Sequence, residues 1–153
     1  MSARAGIGYD AHRFAAGRRL VLGGVEVPHG AGLAGHSDAD VLTHAVIDAV
    51  LGAAGLGDIG TLFPPDEERW RDAHSLDLLR VALGNLHGRV VNVDATLICE
   101  SPRIAPHHAE MERNLAEVLS APVTVKATTN EGMGWIGRGE GIACFAVALL
   151  ELD

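Results

Sequence analysis

Asp10 and His12 stand two residues apart in the stretch AGIGYDAHRF (residues 5–14), which reads as an extended strand. Alternate residues of a strand project from one face, with Cα atoms roughly 7 Å apart. A carboxylate and an imidazole placed this way can converge on one ion, with bonds of about 2.0–2.2 Å for zinc. A third protein ligand would leave a fourth position open, the pattern of a catalytic zinc site. His44 is the natural third. It lies in GHSDADVLTHAVIDAVLGAAGLGDIG (residues 35–60), where Val41, Ala45, Asp48 and Leu51 recur at helical spacing, as do Leu42, Val46 and Ala49. Asp40, His44 and Asp48 are four apart and share one face of that helix. Taken singly, Asp-x-His reads equally well as a surface pair, and the polar stripe as a solvated face. Together they favour a metal centre.

Other residues offer chemistry of a different kind. Ser37 with an acid three residues later reads as a helix N-terminus. Amides and macrodipole there favour anions, so His36 and Ser37 could contact phosphate as well as cap. Asp58 sits in the turn Gly57-Asp58-Ile59-Gly60, where it could bind sugar-like hydroxyls or simply stabilise the turn. Lys126-Ala127-Thr128-Thr129-Asn130-Glu131 leaves a strand for a loop. Its hydroxyls and amides can hold phosphate oxygens, and Glu131 could bind a hard cation such as magnesium. Trp135 and Arg138 follow among glycines that match neither the Walker nor the dinucleotide pattern. His29, His74, His87, His107 and His108 read as surface residues, and Glu110, Glu112 and Glu117 as a solvated helix face. No His-Glu-x-x-His and no Gly-x-Ser-x-Gly occurs, which argues against a zincin protease and a nucleophile-elbow hydrolase.

The elements that must position these residues follow from pattern. Leu20–Leu22 and Val25–Val27 flank Gly23-Gly24 and predict a hairpin. The helix begun near Ser37 ends on Gly55, and residues 56–72 read as a long loop. A second helix is expected over 75–86, with Leu76, Leu79, Leu83 and Leu86 as its stripe. Residues 89–99 alternate, with Val91, Val93, Ala95 and Leu97 facing one way. Pro106 can open a third helix running to about Leu119. Val123, Val125 and Ala127 alternate in a further strand, 130–140 reads as a glycine-rich loop, and 141–152 is a last strand. Together these predict an α+β fold, a two-layer sandwich of one mixed sheet with helices on one face. Residues 142–150 lack a polar side chain on either face, and such a run implies that both faces are covered. Helices can cover one; another subunit would cover the other, so a homo-oligomer is expected.

The chain has 153 residues, the size of one domain, and 48% hydrophobic residues suit a packed core. A net charge of −8 without a basic run argues against nucleic acid or an anionic membrane as partner. Cys99 and Cys144 lack zinc-knuckle spacing and read as buried thiols in a reducing compartment. No apolar leader opens the sequence and no stretch approaches the ~20 apolar residues of a membrane span. The expectation is a soluble, cytoplasmic protein.

GYDAH, LGGV, HSDADVLTHA, LGDIGTLFP, VNVDATLI, KATTNEGMG and GRGEGIA, in this order over nearly the whole chain, resemble the 2-C-methyl-D-erythritol 2,4-cyclodiphosphate synthase family of the non-mevalonate isoprenoid pathway. The length leaves no room for a fused cytidylyltransferase domain, so residues 1–153 are expected to form a single synthase domain. The resemblance implies a homotrimer, its sheets packed around the trimer axis and its active sites between adjacent subunits. It implies zinc on Asp10, His12 and His44, and magnesium or manganese on Glu131 and the substrate phosphates. His36 and Thr129 would hold phosphate oxygens in the transition state. Asp10, His12, His36, Ser37, Asp58, Ile59 and Gly60 would meet substrate, and the loop from Phe63 would close over its erythritol end. Cys99, Pro102, Arg103, Ile104, Ala105 and Thr128 would form the cytidine pocket, with Trp135 and Arg138 near the phosphates. Asp48 would orient His44, and Asp38 and Asp40 would serve the helix start. Arg103 replaces a lysine common in relatives, Pro65 delays an acid to Asp66, and Phe145 stands where some relatives carry Glu. Two readings of other classes compete: a metal-dependent nucleotide phosphohydrolase and a nucleotide-binding module without turnover.

Overall fold

The computed structural model describes residues 1–153. The strands are β1 (Ser2–Ala15), β2 (Leu20–Leu22), β3 (Val25–Val27), β4 (Gly32–Leu33), β5 (Gly88–Ile98), β6 (Val123–Thr128) and β7 (Gly141–Leu152). The helices are α1 (Val41–Ala54), α2 (Ile59–Leu62), α3 (Ser75–Leu83), α4 (His108–Leu119) and α5 (Gly134–Gly137), with a 3-10 turn at Glu68–Trp70. Five strands make one mixed sheet in the order β4-β1-β7-β5-β6, in which only β5 and β6 run parallel. β2 and β3 form a separate hairpin. α1 lies on β1 and β7, α4 lies against β6, and α3 bridges the two helices. This is the two-layer α+β sandwich that the patterns predict.

Two glycines set how closely the layers meet. A Cβ at Gly6 would fall 2.1 Å from the Ala49 carbonyl oxygen, and one at Gly8 would fall 1.9 Å from that of Ala45. Without those side chains the backbone of α1 rests directly on β1. Asp10 and His12 continue the same row of β1 toward the start of α1. All of α1 except Asp48, Gly52 and Ala54 is buried, as expected of a helix apolar nearly all round.

Several boundaries differ from the sequence expectation. α1 is capped by Asp40, not Ser37. The Asp40 carboxylate accepts from the Thr43 amide at 3.0 Å and from the Gly23 and Gly24 amides at 2.9 Å each. The hairpin turn therefore recruits Asp40 as the cap, and Asp40, His44 and Asp48 do not act as one stripe. The stretch 56–72 is not a plain loop but holds α2 and the 3-10 turn, while 130–140 holds α5. α3 stops at Leu83 rather than Leu86, with Gly84 at its C-cap, and α4 starts at His108, two residues after Pro106. In β5 a register shift between Val90 and Asn92 leaves Val91 without a partner. The inward row is thus Val90, Val93, Ala95 and Leu97, with Val90 in place of Val91.

β7 alternates although both its faces are apolar. Ile142, Cys144, Ala146, Ala148 and Leu150 are buried beneath the helices, whereas Phe145, Val147 and Leu149 are exposed. The register places Tyr9 beside Phe145 and Ile7 beside Val147, so the exposed residues form one continuous strip across the middle of the sheet. Ile7 is 68% exposed, and the Tyr9 and Phe145 rings lie 4.9 Å apart. No helix is long and apolar enough to cross a membrane.

Candidate metal centre

The Gly6, Gly8, Asp10, His12 row ends against His44, in the first turn of α1, and three donor atoms converge there. His12 Nε2 lies 2.8 Å from Asp10 Oδ2, His44 Nδ1 lies 3.1 Å from the same oxygen, and the two nitrogens are 3.4 Å apart. A tetrahedral ion with bonds of about 2.0–2.1 Å spaces its ligands by about 3.3 Å. The three distances straddle that edge, and the donor set of two imidazoles and one carboxylate suits zinc. The site thus fits a metal on chemistry and geometry alike.

The other ring nitrogens are engaged. His12 Nδ1 donates to the Ala34 carbonyl at 2.8 Å. His44 Nε2 lies 2.8 Å from Ser75 Oγ and 3.1 Å from Ser37 Oγ. Ser75 is completely buried, and its hydroxyl donates to Asp38 Oδ1 while its amide donates to Asp38 Oδ2 at 3.0 Å. Asp48 does not orient His44. Its Oδ1 accepts from the Ile59 amide at 2.7 Å and so anchors α2 to α1. Burial alone would raise the Asp10 pKa, but the hydrogen bonds and charges of His12 and His44 override it and bring it to about 2. For His44 burial opposes the charged ring, and the Asp10 carboxylate more than offsets this, raising its pKa.

The loop carrying His36 and Ser37 is held by its backbone. The Arg18 guanidinium donates to the Gly35 and Ser37 carbonyls at 2.7 Å each, and the Asp72 amide donates to the His36 carbonyl at 2.9 Å. A cleft of about 230 Å³ opens beside the three ligands, and its walls include His36, Ser37, Ile59, Gly60 and Phe63. Asp58 stands at the cleft's edge as the exposed N-cap of α2, its Oδ1 accepting from the Thr61 amide and hydroxyl at 2.8 Å each. Phe63 meets Trp70 edge-on at 4.8 Å; Arg69 lies 4.4 Å over the Trp70 ring, whose buried indole N–H has no partner. Trp135 shares a second hollow with His12, Phe14 and Glu140. Arg138 is exposed and donates to Glu140 at 2.7 Å.

The remaining candidates gather elsewhere. Cys99, Pro102, Arg103, Ile104, Ala105, Thr128, Thr129 and Glu131 follow the C-terminal ends of β5 and β6, where the Cys99 amide donates to the Thr128 carbonyl at 3.1 Å. β5 is the second neighbour of β1 in the sheet, so this cluster lies at the same sheet end as Asp10 and His12 but roughly 10 Å or more aside. It contributes nothing to the wall of the metal cleft, and Glu131 is not among the converging donors. Cys99 and Ile104 are buried in the core, leaving mainly their backbone for contact. The Glu100 carboxylate accepts from the Asn130 amide at 2.7 Å and the Gly132 amide at 3.2 Å, pinning the turn that presents Glu131. Sequence reasoning missed Ala34, Asp38 and Ser75 around the metal centre, Arg18 behind His36, and Glu100 behind Glu131. Only Ser75, a serine at a helix start, offered a local signal.

Known proteins resemble this chain over nearly its whole length. The model of the YgbB family matches residues 3–151. The 2-C-methyl-D-erythritol 2,4-cyclodiphosphate synthase of Syntrophomonas wolfei is 55% identical, with 97% of this chain and 98% of that protein covered. Among solved structures, the bifunctional IspDF of Campylobacter jejuni superposes with a TM-score of 0.94 at 38% identity, over 99% of this chain and 43% of that one. IspF of Plasmodium falciparum in its CDP complex gives 0.83 at 34% identity, over 99% of this chain and 97% of that one. With the family model, the sequence relatives and the structural neighbours in agreement, the chain belongs to the YgbB family, that of the 2-C-methyl-D-erythritol 2,4-cyclodiphosphate synthases.

Proposed function

We infer that the chain is a cyclodiphosphate synthase, a phosphorus–oxygen lyase that converts 4-diphosphocytidyl-2-C-methyl-D-erythritol 2-phosphate to 2-C-methyl-D-erythritol 2,4-cyclodiphosphate and CMP. The observation that carries this reading is the convergence of Asp10, His12 and His44 beside a cleft walled by His36 and Ser37. An oxygen of the 2-phosphate attacks the β-phosphorus, and the bond from that phosphorus to the CMP oxygen breaks, so no protein nucleophile is needed. Attack of one anion on another instead demands neutralised charge and in-line positioning. Asp10, His12 and His44 would hold zinc, and Glu131 magnesium or manganese. Bound there, such ions supply charge neutralisation and orientation of the phosphates.

The chain's own residues do the rest. His36, on a loop whose three successive carbonyls are tied down, and Thr129 hold phosphate oxygens. Ser37 joins His36 at the phosphates, Asp58, Ile59 and Gly60 take the erythritol end, and Phe63 closes over it. The segment from Cys99 to Ala105, with Thr128, takes the cytidine; Trp135 and Arg138 flank the phosphates. At about 230 Å³ the metal cleft is smaller than the ~300–1,000 Å³ typical of a small-molecule site, so one chain offers only part of a pocket for this substrate. The cytidine half would come from a neighbouring copy in a homotrimer, joined through the exposed strip of Ile7, Tyr9, Phe145, Val147 and Leu149. Residues 1–153 then act as one synthase domain, in the cytoplasm and without membrane or nucleic-acid partner. The P. falciparum relative solved with CDP supports a cytidine diphosphate-linked substrate.

The test is a product assay with zinc and magnesium, read by 31P NMR. CMP together with a cyclic diphosphate is the expected result. CMP with a linear diphosphate would instead indicate a phosphohydrolase, and CDP binding without turnover a binding module.

A further inference from the structure

Ser75 and Asp38 touch neither the converging donor atoms nor the cleft beside His36 in a way that the proposed chemistry uses, yet the fully buried Ser75 stands directly behind a metal ligand and the half-buried Asp38 stands behind Ser75. We propose that they are positioning residues: the Asp38 carboxylate takes the Ser75 hydroxyl proton, which forces His44 to present Nδ1 to the metal. The inference rests on reading Asp10, His12 and His44 as a metal centre.

A serine hydroxyl has one proton to donate and lone pairs to accept. Ser75 Oγ faces two candidates, His44 Nε2 at 2.8 Å and Asp38 Oδ1. An ionised carboxylate can only accept, so the hydroxyl proton goes to Asp38. Ser75 Oγ is left to accept, so this shorter of the two hydroxyl contacts to Nε2 requires the hydrogen on Nε2, and Ser37 Oγ at 3.1 Å can accept it as well. In the neutral ring that would ligate a metal, Nδ1 is then the nitrogen with the lone pair, and it faces the point where Asp10 Oδ2 and His12 Nε2 converge. If the hydroxyl instead donated to Nε2, the hydrogen would sit on Nδ1 and block the site. Asp38 is itself immobilised. It accepts from the Asp40 amide at 3.1 Å and the Ser75 amide at 3.0 Å, and its own amide donates to the Ala73 carbonyl at 3.1 Å. His12 receives its orientation from a backbone carbonyl alone, so His44 is the ligand whose state depends on side chains. The carboxylate behind the serine also makes the imidazole a stronger donor to the ion.

The experiment measures metal binding rather than turnover. Zinc affinity is read by competition with a chromophoric chelator, the ligand field by the d–d spectrum of the cobalt-loaded protein, and the fold by metal-free melting. Wild-type protein is expected to bind one equivalent. Ser75→Ala keeps the amide bond to Asp38 and removes only the hydroxyl; it should melt near wild type, bind zinc about 10–100-fold more weakly and shift the cobalt bands. Asp38→Asn can still accept the hydroxyl but lacks the charge, and about tenfold weaker binding is expected. It also keeps the proposal testable if Ser75→Ala fails to fold. Unchanged affinity and spectrum in both variants would overturn the proposal while leaving the metal centre intact. An equal loss in Ser37→Ala, whose hydroxyl accepts from the Ala39 amide rather than passing a proton to a carboxylate, would overturn it as well. Absence of zinc binding by the wild-type protein would remove the metal reading itself, and the proposal with it.

Discussion

Replacing Gly8 by Ala should damage the metal centre without touching a ligand. The added Cβ would lie 1.9 Å from the Ala45 carbonyl oxygen and 2.8 Å from the Ala49 amide nitrogen. Both are backbone atoms of α1, so no side chain can rotate away. Restoring an ordinary carbon–oxygen contact of about 3.3 Å requires α1 and β1 to separate by more than about 1 Å. Metal–ligand distances tolerate about 0.2 Å, and His44 rides on α1 while Asp10 and His12 ride on β1. Overpacking typically costs about 1–3 kcal/mol, and a clash with rigid backbone belongs at or above the upper end. For a chain of this size about 3 kcal/mol lowers the melting temperature by roughly 6–12 °C. Gly52→Ala is the matched control, because its Cβ would find nothing nearer than the Ile7 oxygen at 4.0 Å. That change should stabilise by about 0.5–1 kcal/mol through helix propensity and leave zinc binding alone. The assays are calorimetric melting at fixed protein concentration and zinc content after dialysis. A Gly8→Ala protein with wild-type melting and full zinc would refute the claim that the glycine row sets the ligand spacing.

Asp40→Ala removes a fully buried cap that serves the hairpin amides as well as α1, and should cost about 4 kcal/mol in denaturant unfolding: about 1 for the cap and the rest for stranded donors. Val147→Asp places a charge in the middle of the exposed strip and should lower the mass seen by sedimentation equilibrium while leaving the circular dichroism spectrum unchanged. Burial and, second to it, the nearby Glu100 push the Cys99 thiol up to about 11. The thiolate fraction at pH 8 is then on the order of one in a thousand, and labelling by iodoacetamide should rise about tenfold per pH unit to pH 10; a plateau near pH 8.5 would contradict this.

The parts legible in the sequence were those encoded locally. The period of a strand pairs Asp10 with His12, the period of a helix places His44, and the structure joins all three. Ser75 and Asp38 are 37 positions apart, and nothing in either neighbourhood signals the other; the fold alone brings them together. The segment 36–40 offers two cap residues, and Asp40 prevails because the Gly23 and Gly24 amides reach it from the hairpin. The bulge in β5 leaves the alternation on paper intact while moving the inward position from Val91 to Val90. The helical turns within 56–72 and 130–140 are too short for any period to emerge.

The chain's two tryptophans stand on different sides of the candidate site. Trp70 touches Phe63, a wall of the metal cleft, and Trp135 borders His12 from the second hollow. Both indoles are half-buried, but that of Trp70 has a buried, unbonded N–H and the Arg69 guanidinium over its ring, whereas Trp135 borders the second hollow. Their fluorescence should therefore differ in colour, and selective quenching of one band would tell which end of the site a ligand has entered. The molecule thereby contains its own optical gauge of occupancy, and needs no attached dye.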